Sequence, residues 1–143
     1  MKVITLYFVL TIGIFASQLK DGNYSVVENV LIGKKWRTKV ELNIKDNEVQ
    51  WVDIDMITKD GKLMSQDEKA LQMILEYTDG INPYVELPRE YMKKIKEVDD
   101  YNMSQVDTIV GATVISKKFN KMTLFLLKKS EKGKTGEFEG WFH

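Results

Sequence analysis

Between Trp36 and Ile57 the chain alternates with a period of two, and few folds accommodate that pattern. Trp36, Thr38, Val40, Leu42 and Ile44 alternate with Arg37, Lys39, Glu41, Asn43 and Lys45. Extended backbone would place the first set on one face and the second on the other, which describes a half-buried strand. Asp46-Asn47 follows, and both residues tolerate the left-handed backbone that a two-residue hairpin turn demands. Glu48 to Ile57 returns as a second strand, with Val52, Ile54 and Met56 set against Asp53 and Asp55. Val49 and Trp51 fall on the opposite parity, which points to a bulge near Gln50 or Trp51. A hairpin with one apolar face needs a cover.

The rest of the chain supplies one. Asn23 to Ile32 has strand-like content in Tyr24, Val26, Val27, Val30 and Ile32. Ser65-Gln66-Asp67-Glu68 reads as a capping box opening a helix, whose apolar side carries Ala70, Leu71, Ile74 and Leu75 with Thr78 and stops at Gly80. Asp67 and Glu68 have an ordinary explanation as acids in a first helical turn. Tyr84 to Leu87 reads as a loop between Pro83 and Pro88. Pro88 then opens a second helix, with Leu87, Tyr91, Ile95 and Val98 on its buried face. From Val114 a third helix places Ile115, Phe119, Met122 and Leu126 on one stripe, joined by Val114, Phe125 and Leu127. Ser130 to Gly136 is a polar link. Glu137 to Phe142 suits a short terminal strand or a docking tail whose aromatics pack on the domain or a partner. The expected class is α+β: a small antiparallel sheet packed against two or three helices.

Several function classes fall away on composition. With 21 basic and 21 acidic side chains the formal net charge is zero, so no global field recruits nucleic acid. Lys117-Lys118 and Lys128-Lys129 are expected on a solvated helix face and at its last turn. There is no cysteine, which removes disulfides, thiol catalysis and thiolate metal sites. The one histidine is His143, a poor foundation for a catalytic triad. Met1 to Ser17 reads as an export signal: Lys2, an apolar run from Val3 to Phe15, then Ala16 and Ser17 as small cleavage residues. The run is short for a membrane span. The domain proper is then 18–143, exported to the periplasm or cell surface.

Chemistry concentrates in Val106-Asp107-Thr108-Ile109-Val110-Gly111-Ala112-Thr113-Val114-Ile115-Ser116. One hydroxyl, Thr113, follows two of the smallest residues and immediately precedes a helical pattern. Gly111 permits positive φ and close backbone approach. The helix start beyond Thr113 offers free N–H groups and the positive end of a dipole to an anion.

This stretch resembles the flavinylation motif of the FMN-binding domain family, Asp-x-x-Ser/Thr-Gly-Ala-Thr. That family includes flavin subunits of sodium-pumping NADH:quinone reductases and many small exported proteins. Asp107, Gly111, Ala112 and Thr113 match the motif, whereas Val110 replaces its usual hydroxyl residue and Ile115 a frequent Thr or Ser. Asp21-Gly22-Asn23-Tyr24, Lys45-Asp46-Asn47 and Lys59-Asp60-Gly61-Lys62-Leu63 extend the similarity over most of the chain after the N-terminal segment.

The resemblance implies FMN joined to Thr113 by a phosphoester, installed by a separate FAD:protein FMN transferase. Asp107 would help present the motif to that enzyme, while Gly111 and Ala112 would keep the approach clear. It also sets Lys59 and Lys62 near a flavin and allows Trp36 or Trp51 to border its ring. The expected function is extracytoplasmic electron transfer by a carrier rather than an enzyme, with redox partners unspecified, a membrane-bound one among them. Two other readings stand beside it: a flavin-free binding or structural protein retaining the fold, and an enzyme binding FMN reversibly.

Overall fold

The computed structural model of the protein describes residues 18–143; the expected export segment, 1–17, lies outside them. Four strands and three α-helices follow in the order β1 (Gly22–Glu28), β2 (Arg37–Lys45), β3 (Glu48–Ile57), α1 (Glu68–Tyr77), α2 (Pro83–Glu97), α3 (Thr113–Glu131) and β4 (Gly136–Gly140). The α+β class is as expected.

The β2–β3 hairpin forms as its alternation dictates. Asp46 and Asn47 take φ of 52° and 61°, the double left-handed turn whose twist suits a two-residue hairpin. Asn43 pairs with Trp51 and Ile44 with Val49, so Gln50 is the extra residue of a bulge. The bulge returns Val49 to the face of Val52, Ile54 and Met56, all buried, and leaves Trp51 exposed on the outer face. Trp36, just before β2, is buried. The inner face of β2 carries Thr38, Val40, Leu42 and Ile44, none more than 1% exposed.

The sheet order is β3-β2-β1-β4, with β1 antiparallel to β2 and parallel to β4. The sequence reading expects a small antiparallel sheet; the parallel β1–β4 pair departs from it, and α3 explains the difference. The Lys20 N–H bonds to the Ser130 carbonyl near the end of α3 (3.0 Å), and Lys118 near its start meets Glu28 at the end of β1 (2.7 Å). The helix therefore runs antiparallel to β1. The strand that follows it through one reversing turn must run parallel to β1.

The helices differ from the sequence reading in their starts. Ser65 does not cap α1; its N–H and hydroxyl both bond the Asp55 carboxylate on β3. Asp67 is the cap, accepting the Ala70 N–H (3.0 Å). Residues 84–87 are helical, because α2 begins at Pro83 with Asn82 accepting the Tyr84 N–H (3.0 Å). Pro88 then sits inside the helix and cannot bond the Tyr84 carbonyl. An interior proline costs about 3 kcal/mol, offset by burying Tyr84 and Leu87 in line with Tyr91 and Ile95. Against β3, α2 closes one half of the inner face, and α3 closes the other over β1 and β2.

At the end of the chain, Phe138 and Phe142 both stack edge-on against Phe125, at 5.9 and 5.4 Å. Trp141 stays 65% exposed. Two of the three terminal aromatics therefore pack on the domain.

Candidate functional site

The motif segment is held by the helix it leads into. Two turns inside α3, Asn120 accepts the Val106 N–H and donates to the Val106 carbonyl, both at 2.9 Å. One turn nearer the start, Ser116 Oγ accepts the Ile109 N–H (3.1 Å) and donates to the Ala112 carbonyl (2.8 Å). The Ala112 N–H closes a turn onto the Ile109 carbonyl (2.9 Å). The third residue of that turn is Gly111, at φ +84°, as a type II turn requires.

Gly111 has a second reason to be glycine. A Cβ there would lie 1.9 Å from the Tyr77 carbonyl oxygen at the end of α1, a distance no side chain tolerates. The motif backbone thus packs directly on the C-terminus of α1. Ala112 is buried, so its small size also serves packing.

Thr113 is the first residue of α3, one position before the expected start, and it is exposed. Its hydroxyl makes no hydrogen bond among the described residues. Ala112 provides no capping side chain, and the first turn contains no acidic residue. The first helical bond runs from the Ser116 N–H to the Ala112 carbonyl (3.0 Å). The N–H groups of Thr113, Val114 and Ile115 therefore have no intrahelical acceptor. Val110, three residues before Thr113, is 86% exposed, and Val114, directly after it, is 59% exposed.

The arrangement combines an unengaged nucleophilic oxygen with uncapped donors at the positive end of a 19-residue helix. That suits a phosphate esterified at Thr113, whose free oxygens could accept from those donors. Asp107 is not hydrogen-bonded to Thr113. It lines a groove of about 510 Å3 against α2, together with Glu86, Glu90 and Lys93.

One charged contact anchors this end of α3. Glu28 is fully buried and pairs with Lys118 at 2.7 Å, the lysine side chain 13% exposed. Two of the four lysines expected on a solvated face leave it: Lys118 makes this pair, and Lys129 lies over the rings of Phe125 and Phe138 at 5.2 and 5.1 Å. Behind the anchor, Tyr91 stacks edge-on with Phe119 at 5.7 Å. Burial pushes the Tyr91 hydroxyl up to about 12 and raises that of Tyr84, which is also near Asp55.

Lys59 and Lys62 line a different cleft, with Lys34, Lys35 and Arg37. Neither that cleft nor the Asp107 groove has Thr113 in its wall. Among the described residues no group of His, Asp or Glu could hold a metal ion, and no helix is long and apolar enough to cross a membrane. Ser116 and Asn120 were not singled out in sequence. Their signal was two short polar side chains four apart on one helix face, directly after the motif.

The geometry defines a class: an α+β domain with a mixed four-stranded sheet and an open threonine at a helix start. No family model matches the sequence, and no curated protein does. Among solved structures, the crystal structure of the CPE2226 protein from Clostridium perfringens is similar, with a TM-score of 0.71 and 22% identity. The match covers 88% of this chain and 100% of that one. At that identity the likeness concerns the fold.

Proposed function

We propose that the domain is an exported electron carrier holding FMN through a phosphoester at Thr113. One observation carries the reading: Thr113 is exposed, its hydroxyl makes no hydrogen bond among the described residues, and it sits directly on the uncapped N-terminus of α3. The motif resemblance at Asp107, Gly111, Ala112 and Thr113 supplies the identity of the group.

In the attachment step, Thr113 Oγ1 forms a bond to the flavin-side phosphorus of FAD. The bond between that phosphorus and the bridging oxygen breaks, AMP leaves, and the hydroxyl proton passes to a base of the transferase. Once attached, the flavin supplies the redox chemistry, and the protein orients it. Gly111 sets the turn that delivers Thr113. Ser116 and Asn120 fix the segment before it, which limits the motion of the attachment point. Asp107, exposed on the groove beside α2, is available to the transferase. Redox donor and acceptor are separate proteins, a membrane-bound one fitting an exported carrier.

A second reading is favoured by one residue. Val110 stands where the motif usually has a hydroxyl, and it is 86% exposed, so no packing need accounts for the exchange. On that reading the chain keeps the fold as a flavin-free binding or structural protein.

The test is the intact mass of protein exported together with an active FAD:protein FMN transferase. A gain of FMN less one water, absent in Thr113→Ala, is expected. No gain, with the transferase active on another substrate, removes the carrier reading and leaves the flavin-free one.

A further inference from the structure

We propose that the cleft between residues 29–37 and 58–62 binds a phosphorylated small molecule. This open cleft has a volume of about 600 Å3 and is lined by Lys34, Lys35, Arg37, Lys59 and Lys62, with Asp60 the one carboxylate in its wall among the described residues. Five cations facing one acid is a local imbalance in a chain of zero net charge.

Four of these five cations have no ion pair among the described residues, and the fifth, Arg37, has a long one. Among the described residues, Lys34, Lys35, Lys59 and Lys62 have no carboxylate within 4.0 Å, and Arg37 reaches Glu139 only at 3.8 Å. Asp60 is held within its own turn, accepting from the Thr58 hydroxyl at 2.6 Å. That bond, with the charges of Lys62 and Lys35, keeps its carboxyl below the usual range, so it remains an anion and still leaves an excess of positive charge. Like charges gathered without counter-charges repel, and a bound polyanion relieves the repulsion.

Rigid backbone presents these side chains. The Thr58 N–H bonds the Lys62 carbonyl (2.9 Å), the Gly61 N–H bonds the Thr58 carbonyl (3.0 Å), and Thr58 Oγ1 accepts the Lys62 N–H (3.0 Å). Opposite, Ile32 and Trp36 exchange both backbone bonds around a tight turn that puts Lys34 at φ 65°. Lys35 lies over the Trp36 ring at 4.9 Å. Arg37 opens β2 opposite Ile57, the residue before Thr58, so the sheet itself sets the spacing of the two turns.

The ligand class follows from the donors and the shape. Four lysines are point charges suited to phosphate oxygens approached from several sides, more than to the planar fork of a carboxylate. The volume exceeds that of a phosphate ion and falls within the range of small-molecule sites. Leu31, 53% exposed in the same wall, offers contact to an organic body. A concave site favours a small molecule over a membrane surface.

The experiment uses the full domain carrying Thr113→Ala, so that no linked flavin competes and the outcome is independent of the flavin reading. Inorganic pyrophosphate is titrated at low salt by calorimetry, followed by AMP and by adenosine. Expected is saturable 1:1 binding of pyrophosphate and AMP, with adenosine at least tenfold weaker. K59E/K62E and K34E/K35E should each weaken pyrophosphate at least tenfold, while K93E/K121E, which makes the same change in net charge elsewhere, should not. Two pairs on different turns guard against one failing to fold. Absence of saturable binding up to millimolar pyrophosphate overturns the proposal. So does an equal loss in the control pair, or binding confined to vesicles of anionic phospholipid.

Discussion

From Phe119 to Ser130, α3 belongs to the core: Phe119, Met122, Leu126 and Leu127 are fully buried, and even the Ser130 hydroxyl is turned inward onto the Leu127 carbonyl (2.6 Å). Over its first turn, Thr113 and Val114 are exposed and no side chain caps the backbone. One continuous helix thus has a half that packing fixes and a start that packing leaves open. Burial of the first secures the position of the second, so the Thr113 hydroxyl can be both accessible and well placed.

The sharpest way to break this contrast is to truncate one side chain in each half. Phe119→Ala should cost about 3–5 kcal/mol, whereas Thr113→Ala should stay within about 0.5 kcal/mol of the parent. Urea unfolding of the two variants reads the difference, and comparable losses would show that the helix start also belongs to the core.

Gly111→Ala probes the junction. It forces a side chain to a φ of +84° and into the Tyr77 carbonyl, and strained backbone of this kind costs about 1–3 kcal/mol. The expected result is that loss in denaturant melts. A neutral result would mean that the α1–motif contact is easily rearranged.

Alkaline pH tests the packing against Phe119, where the Tyr91 ring lies edge-on. The Tyr91 hydroxyl titrates near 12 when folded against about 10 in the unfolded chain. Above pH 10 the unfolded chain loses this proton while the folded one keeps it. The stabilisation is therefore complete below pH 10 and disappears as the pH rises from 10 to 12, at a slope of up to about 1.4 kcal/mol per unit. Tyr84 is raised in the same direction. Tyr91→Phe should flatten the slope in pH-dependent urea titrations.

The smallest effect sharpens the open half. Val114→Glu places a carboxylate on the uncapped first turn and should stabilise the protein by about 0.3–1 kcal/mol. In the same variant, flavinylation measured by intact mass should slow, because the negative charge competes for the ground a phosphate would occupy. Faster modification would contradict the electrostatic account of the site.

Local chemistry accounts for what the sequence disclosed of this architecture. The β2–β3 hairpin was legible because alternation, turn residues and bulge all lie within 22 consecutive residues, from Trp36 to Ile57. Thr113 and Gly111 were legible for the same reason. The misreadings came from competition at a distance. Ser65 is drawn to Asp55 on β3, which leaves the capping of α1 to Asp67. Two prolines five residues apart could each open a helix, and Asn82 decided for Pro83. Lys118 looked solvated because its partner Glu28 is 90 residues away. The five cations of the basic cleft come from segments separated by most of β2 and all of β3, so only the Lys59–Lys62 half stood out as a turn. The parallel placement of β4 depends on the course of α3, which no local pattern encodes.

That placement also sets a schedule for folding. Tyr24 pairs with Gly136 and Val26 with Phe138, so the first strand acquires its second neighbour only after almost everything between them has been synthesised. Closing so long a loop delays the last step of folding more than it weakens the finished sheet. Until then the free edge of β1, with Val26 and Val27 beside it, is open to any other extended chain, and the nascent domain is at its most vulnerable to wrong partners.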